Sequence, residues 1–409
     1  MNATTRRAVP LGLAALLALL SMISPFSIDT FFPSFRAMQA EFAVSDLTIQ
    51  QTLTAYMLPY AVMSLVHGPL SDALGRRVIV LWGMGLYALA SLACAFAPGF
   101  ASLLAFRAMQ GMTAGTGLTV GRAVVRDLYD GAEAQRLMST VTLIFSVAPA
   151  LAPVLGGWIH VAFGWRAVFG FLFVLGLVMM LASWLRLPET LPPQRRVALG
   201  FAPLLRTLWR ILSTREFLLL GIAGGLNMGS VLMYIGAAPA IVLDNWHLGE
   251  AQFHWLFIPI IGGFMAGALL SGRMAGRLPR SRQVGYGFAT TIVASGGAGL
   301  LHALSLSPPP ILLQQVLIAL SSVGVQLVFP VLSLRILDMF PDNRGSAASA
   351  QTFVQLIVAS AVFGLIVPML HGALVGLAFG VMLTASGSAL LWTGAARLAR
   401  RQRAVGNPA

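Results

Sequence analysis

Gly68-Pro69-Leu70-Ser71-Asp72-Ala73-Leu74-Gly75-Arg76-Arg77 lies between two long apolar runs. A loop in that place needs only to turn the chain. This one carries two glycines, a proline, a carboxylate and paired arginines. Gly68 and Gly75 permit backbone with φ above zero at helix ends. Asp72 can accept hydrogen bonds from the first amides of a helix and favours the positive end of its dipole. Arg76 can pair with Asp72 and with Asp127, which follows the fourth apolar run. The stretch predicts a charged junction built between two helices.

The rest of the chain says what those helices cross. Of 409 residues, 57% are hydrophobic and 10% charged, with mean hydropathy +0.83. A soluble domain carries about 25% charged residues, so most of this surface belongs in lipid. About 20 mostly apolar residues cross a bilayer as a helix. Twelve such segments are predicted, beginning near Pro10, Leu47, Val78, Phe100, Leu137 and Arg166, then near Glu216, Glu250, Gln283, Pro310, Gly345 and His371. The fold class is an all-α membrane protein of twelve spanning helices in two pseudo-symmetric bundles of six.

Net charge is +13, with every basic residue an arginine. Nucleic acid is not implied, because the arginines form no single patch or stripe. They recur in alternate loops: Arg6 and Arg7, Arg76 and Arg77, Arg126 and Arg136, Arg195 to Arg215, Arg273 to Arg282, Arg335 and Arg344, and Arg397 to Arg403. The other loops hold Arg36 and Arg166 with Asp244 and Glu250. By the positive-inside rule both termini are expected to be cytoplasmic. The opening Arg6, Arg7 and apolar run lacks a small-residue cleavage site at Ile28-Asp29-Thr30, so it is expected to stay as the first helix.

One polar break, rich in proline and arginine, predicts a first bundle over 1–187, a cytoplasmic linker over 188–215 and a second bundle over 216–409. Ser271-Gly272-Arg273-Met274-Ala275-Gly276-Arg277 echoes the first loop at the matching place in the second half. Such repeats usually enclose a substrate site near the membrane midplane.

Polar residues inside apolar runs mark candidate sites. Asp29 is the one acidic residue placed within a span, and intramembrane charge is functional by default. Arg107-Ala108-Met109-Gln110-Gly111 puts an arginine in the fourth helix, where it costs about 2.5–3.5 kcal/mol; it either faces a cavity or snorkels to the nearby surface. In the fifth helix Pro149, Pro153, Gly156 and Gly157 combine bending with close helix approach. Softer candidates for a cavity lining are Gln110, Asn227, Met228, Tyr234, Gln326 and Gln355, residue types that also serve as bonds between helices. The six histidines show no metal spacing, and the lone Cys94 excludes an internal disulfide. No Walker loop, GxSxG or HExxH occurs, so no enzyme is predicted.

Taken together these stretches resemble the major facilitator superfamily. Ser24-Pro25-x-x-Ile28-Asp29 with Pro33, Gly68-Pro69-Leu70-Ser71-Asp72, Arg107-x-x-Gln110-Gly111, Arg122-Ala-Val-Val-Arg126-Asp127, the Pro149 to Gly157 run, Gly164-Trp165-Arg166 and Pro188-Glu189-Thr190 resemble its Bcr/CflA branch of drug/proton antiporters. The resemblance implies a monomeric, multi-pass exporter of the bacterial inner membrane, handling amphenicol- or bicyclomycin-type drugs, with the proton as coupling ion and no other cofactor. It implies proton coupling at Asp29 and Arg107. Asp72, Arg76, Arg77 and Asp127 would form a cytoplasmic gate that latches the halves in an outward-open state. Pro149, Pro153, Gly156 and Gly157 would be the antiporter motif. Ala73 stands where the family usually has arginine, so one latch contact is expected to be missing. The alternative is a proton-coupled uptake symporter for a small metabolite, which shares the fold; the fifth-helix motif argues against it.

Overall fold

The computed structural model describes residues 11–129, 131–196, 200–275, 277–304, 309–370 and 374–404. The predicted starts at Pro10 and His371, with Arg6, Arg7 and Gly276, lie outside these residues, as do the side chains of Arg136 and Arg403.

Twelve long helices are present among the described residues. The first six are α1 (Leu11–Asp29), α2 (Asp46–Ser64), α3 (Arg76–Ala95), α4 (Phe100–Ala114, resuming as Thr116–Leu128), α5 (Gly131–Phe163) and α6 (Trp165–Arg186). The second six are α7 (Arg215–Gly236), α8 (His254–Met274), α9 (Arg280–Leu304), α10 (Ile311–Met339), α11 (Arg344–Ala361, continued by a π-turn and Val367–Leu370) and α12 (Leu374–Ala404). Nine spans pass on length and hydropathy alone among the described residues. α2 falls short on hydropathy, carrying Gln50, Gln51 and Thr52, and α4, which carries Arg107 and Gln110, is interrupted at Gly115 into stretches of 15 and 13 residues. Both face other helices rather than lipid at these positions.

The six-helix sets repeat one another's packing. α2 lies on α4 as α8 lies on α10; α3 lies on α6 as α9 lies on α12; α1 lies on α5 as α7 lies on α11. The sets meet through α2 against α11 and α5 against α8, which are equivalent pairings under the same pseudo-two-fold.

Two features differ from the expected layout. The 188–215 segment is partly folded: Phe201–Leu212 is a helix. Leu208 and Ile211 are buried in the apolar cluster of the second set, with Leu204 and Leu212 packed against it, a spacing of i, i+4, i+7. A second extra helix, Phe35–Phe42, follows α1 and carries Glu41, which accepts from the Trp165 indole at 2.6 Å and pairs with Arg166 at 2.5 Å.

Candidate functional site

Arg107 is fully buried although it lies only two turns into α4. The glycines that follow on its own face explain how it gets there. A Cβ on Gly111 would overlap the Tyr56 carbonyl, and one on Gly115 would strike the Tyr60 ring. Arg107, Gly111 and Gly115 recur at i, i+4 and i+8, and so they bring α4 flush against Thr52, Tyr56 and Tyr60 of α2. The guanidinium then donates through Nε to the Thr52 carbonyl at 3.3 Å and through Nη1 to the Ser27 carbonyl at 3.0 Å and to Gln110 Oε1 at 2.6 Å. Gln110 passes the chain on to Ser91 Oγ at 2.7 Å. The rings of Phe31 and Tyr56 cover the cation at 4.4 and 4.6 Å, contacts that strengthen when desolvated. Snorkelling is therefore not what Arg107 does here.

Asp29 ends α1 and is 4% exposed. Arg107 grips the chain on both sides of it, at the Ser27 carbonyl and the Phe31 ring. Yet among the described residues no ion pair joins the two, and Asp29 has no hydrogen-bond partner. Arg107 Nη2 is likewise buried without an acceptor. A buried charge left without its counter-charge is costly, and two of them lie in one neighbourhood here.

The α5 motif closes on this same point. A Cβ on Gly156 would overlap the carbonyl of Thr30, the residue immediately after Asp29. A Cβ on Gly157 would overlap the Glu250 carbonyl, in the second set's loop between α7 and α8. Consecutive glycines thus serve two interfaces, one inside the first set and one between sets. Three residues on, His160 Nε2 lies 3.3 Å from the Glu250 carboxylate. Pro153 and Pro149 lie inside α5 one and two turns before Gly156.

Other bonds between sets gather at this end. Gln50 Nε2 donates to the Gly236 carbonyl at 3.1 Å, Gln51 Nε2 to the Gly364 carbonyl at 3.1 Å, and Thr54 Oγ1 to the Ser360 carbonyl at 3.5 Å. Arg36 pairs with Asp244. Among the described residues, no hydrogen bond or ion pair joins the sets at the Arg76 end.

At that end the charged junction forms within the first set. Arg76 Nη1 meets Asp72 at 2.6 Å and Ser71 Oγ at 2.6 Å, and its Nε meets Asp127 at 3.1 Å. The Arg76 amide donates to Glu189 Oε1 at 3.0 Å, and Thr190 Oγ1 donates to Asp127 at 2.8 Å. Gly75 carries a φ of 107°, and a side chain there would run into Glu189. The expected latch between halves is thus an anchor inside one half in this conformation. Arg77 stands apart, donating to the Trp184 carbonyl at the end of α6 at 2.5 Å. Ser71, Glu189 and Thr190 belong to the cluster and were not assigned to it from sequence; Pro188-Glu189-Thr190 was visible as a motif without a place.

The second-set candidates scatter. Asn227 Nδ2 donates to the Val325 carbonyl at 2.9 Å and leaves Oδ1 unpartnered. Gln355 Nε2 is buried without an acceptor near Gly224. Gln326 packs over Gly267 of α8, and Met228 is half-buried. Tyr234 faces a small pocket with His302, Gln314 and Ile318, inside the second set rather than between sets. No cluster that could hold a metal ion occurs among the described residues.

Residues 17–363 match the Major Facilitator Superfamily. This chain belongs to that superfamily. An uncharacterized MFS-type transporter of Bacillus subtilis (strain 168), YdgK, is 29% identical over 358 residues, covering 87% of this chain and 88% of its own. A bicyclomycin resistance protein homolog of Haemophilus influenzae is 28% identical over 257 residues, 63% of this chain and 65% of its own. A solved bacterial homolog of the human lysosomal transporter Spinster, in an inward-facing and unoccupied conformation, shares the fold at TM-score 0.70 and 17% identity, over 95% of this chain and 96% of that one. The chain is a multi-pass inner-membrane transporter of this superfamily, not an enzyme.

Proposed function

We propose that this facilitator exports small antimicrobials of the amphenicol or bicyclomycin type in exchange for protons. The observation that carries the reading is the pair of buried, unmatched charges: Asp29, 4% exposed and without a partner among the described residues, and Arg107 with Nη2 unfilled, at the point where the Gly156 motif packs on α1. Asp29 takes the proton. Arg107 holds the α1 main chain around it and fixes the carboxylate's position. Drug and proton then compete for one conformational cycle in which the 1–187 and 216–409 bundles rock about their interface.

Loop charge supports placing the Arg76 end in the cytoplasm. On that placement the bonds between sets seal the periplasmic side, and the cavity opens inward for drug capture. The Arg76 cluster holds the first bundle's loops as one body during the swing. The family's drug-resistance members support export over uptake.

The test is proton release from purified protein in weak buffer as chloramphenicol, florfenicol or bicyclomycin is added. Drug-triggered release that vanishes in Asp29→Asn, with drug binding kept, is the expected result. Undiminished release from Asp29→Asn overturns the assignment of the proton to Asp29. Movement of labelled drug into proteoliposomes along with protons overturns export.

A further inference from the structure

Outside the central site, one surface groove combines charge and apolar area in a way the transport cycle does not use. It runs between α7 and α12 at the Arg76 end. On α7, Arg215, Leu218, Leu219 and Ile222 fall at i, i+3, i+4 and i+7, one face of the helix. On α12, Gly394, Arg397, Leu398 and Arg401 repeat the same spacing. The two faces oppose one another, with leucines and isoleucine as the floor and three arginines at the mouth.

Arg215, Arg397 and Arg401 are exposed and make no hydrogen bond or ion pair among the described residues. The acid next in sequence, Glu216, turns inward: it accepts from Arg335 at 2.6 and 3.1 Å. Arg335 is itself held by the Ala395 carbonyl at 3.1 Å. That buried bond ties α7, α10 and α12 together behind the groove and leaves only arginines as charged groups among the described residues that line its mouth. Leu218 and Ile222 are each 36% exposed, on a helix that faces the hydrocarbon of the bilayer. A ligand that fits must carry a negative head and apolar chains at once.

We propose that this groove binds the headgroup of an anionic phospholipid from the adjoining leaflet, with its acyl chains along α7 and α12. Basic pockets between spanning helices on this side of a membrane suit such headgroups. The forked guanidinium matches a phosphate better than an ammonium does. Gly394 keeps the groove open: a Cβ there meets nothing within 4 Å, so a larger side chain fills the channel without disturbing its walls.

The test uses full-length protein in detergent with added dioleoylphosphatidylglycerol or dioleoylphosphatidylethanolamine, and native mass spectrometry counts the lipid retained. Each arginine is worth about fivefold in affinity, so three together give about a hundredfold. The R215Q/R397Q/R401Q variant is expected to lose that preference. R273Q/R277Q/R282Q, which removes equal charge elsewhere at the same end, is expected to keep it. An all-lysine version of the three sites retains part of the preference and reports on folding. Gly394→Leu, with every charge intact, is expected to lose the lipid as well. Retention by the triple glutamine variant equal to the control overturns the proposal, as does retention by Gly394→Leu. Displacement of the lipid by millimolar inorganic phosphate also overturns it, since the site would then be one for a plain anion.

Discussion

Gly157 of α5 lies against the main chain of Glu250 in the other six-helix set, with no room for a Cβ between them. Its neighbour Gly156 does the same to Thr30 within its own set. The pair separates two effects that a motif reading merges. Gly157→Leu keeps the first bundle intact and wedges the interface open, whereas Gly156→Leu damages α1 packing itself, at about 1–3 kcal/mol or more. With cysteines at positions 36 and 244 joined by a short bismaleimide, Gly157→Leu is expected to crosslink several-fold less than the parent at an unchanged melting temperature. Equal crosslinking would show that the contact does not control closure.

Arg107 offers a contrast between stability and activity. Burying a charge without a counter-charge is costly, and an apolar side chain of similar size removes that cost. Arg107→Met is expected to melt at or above the wild-type temperature while drug efflux drops to the background of cells lacking the protein. Arg107→Lys keeps the charge but cannot reach the Thr52 carbonyl, the Ser27 carbonyl and Gln110 together, and is expected to restore little transport. Efflux assays beside thermal melts separate these outcomes.

The Arg76 cluster predicts the opposite pattern. Arg76→Gln strands Asp72 and Asp127 and is expected to cost about 1–3 kcal/mol. Gly75→Ala forces a φ of 107° on a residue that resists it and presses on Glu189, costing more than about 1 kcal/mol. Both effects are read as lowered midpoints in unfolding titrations. An unchanged midpoint in both would mean the cluster does not anchor the first bundle.

The helix Phe201–Leu212 presents Leu205 and Trp209 outward, 62% and 74% exposed, with Arg206 and Arg210 beside them. An apolar stripe flanked by arginines lies in a membrane interface. In vesicles carrying brominated acyl chains, Trp209→Phe is expected to remove a quenched component of the tryptophan emission. Emission from Trp209 that bromine does not quench would place the helix in water.

The Gly68 to Arg77 junction was legible because its chemistry is local: the residues that turn the chain and the residues that pair are ten positions apart at most. Asp127 was reachable as well, since its own position at a helix end is visible in the sequence. The seat of Arg107 was not. Its neighbours Ser27, Phe31, Thr52, Tyr56 and Ser91 come from three further helices and the turn after α1, and ordinary core residues carry no mark of what they will surround. One signal was present and unused: Arg107, Gly111 and Gly115 share a helical face, which foretells a tight crossing. The helix Phe201–Leu212 was also written in the spacing of Leu204, Leu208 and Ile211, but the prolines and arginines around it read as a plain linker. Three of the bonds between sets, from Gln50, Gln51 and Thr54, had no sequence signal, because each acceptor is a main-chain carbonyl.

That last detail bears on how such a protein changes over generations. Gln50, Gln51 and Thr54 hold the second bundle by its peptide oxygens at Gly236, Gly364 and Ser360, atoms every amino acid supplies. Away from Gly236 and Gly364, where a Cβ would strike Phe363 and Thr54, side chains along α7 and α11 can therefore drift, and with them the range of compounds accepted, while the same three donors keep their hold on the far side.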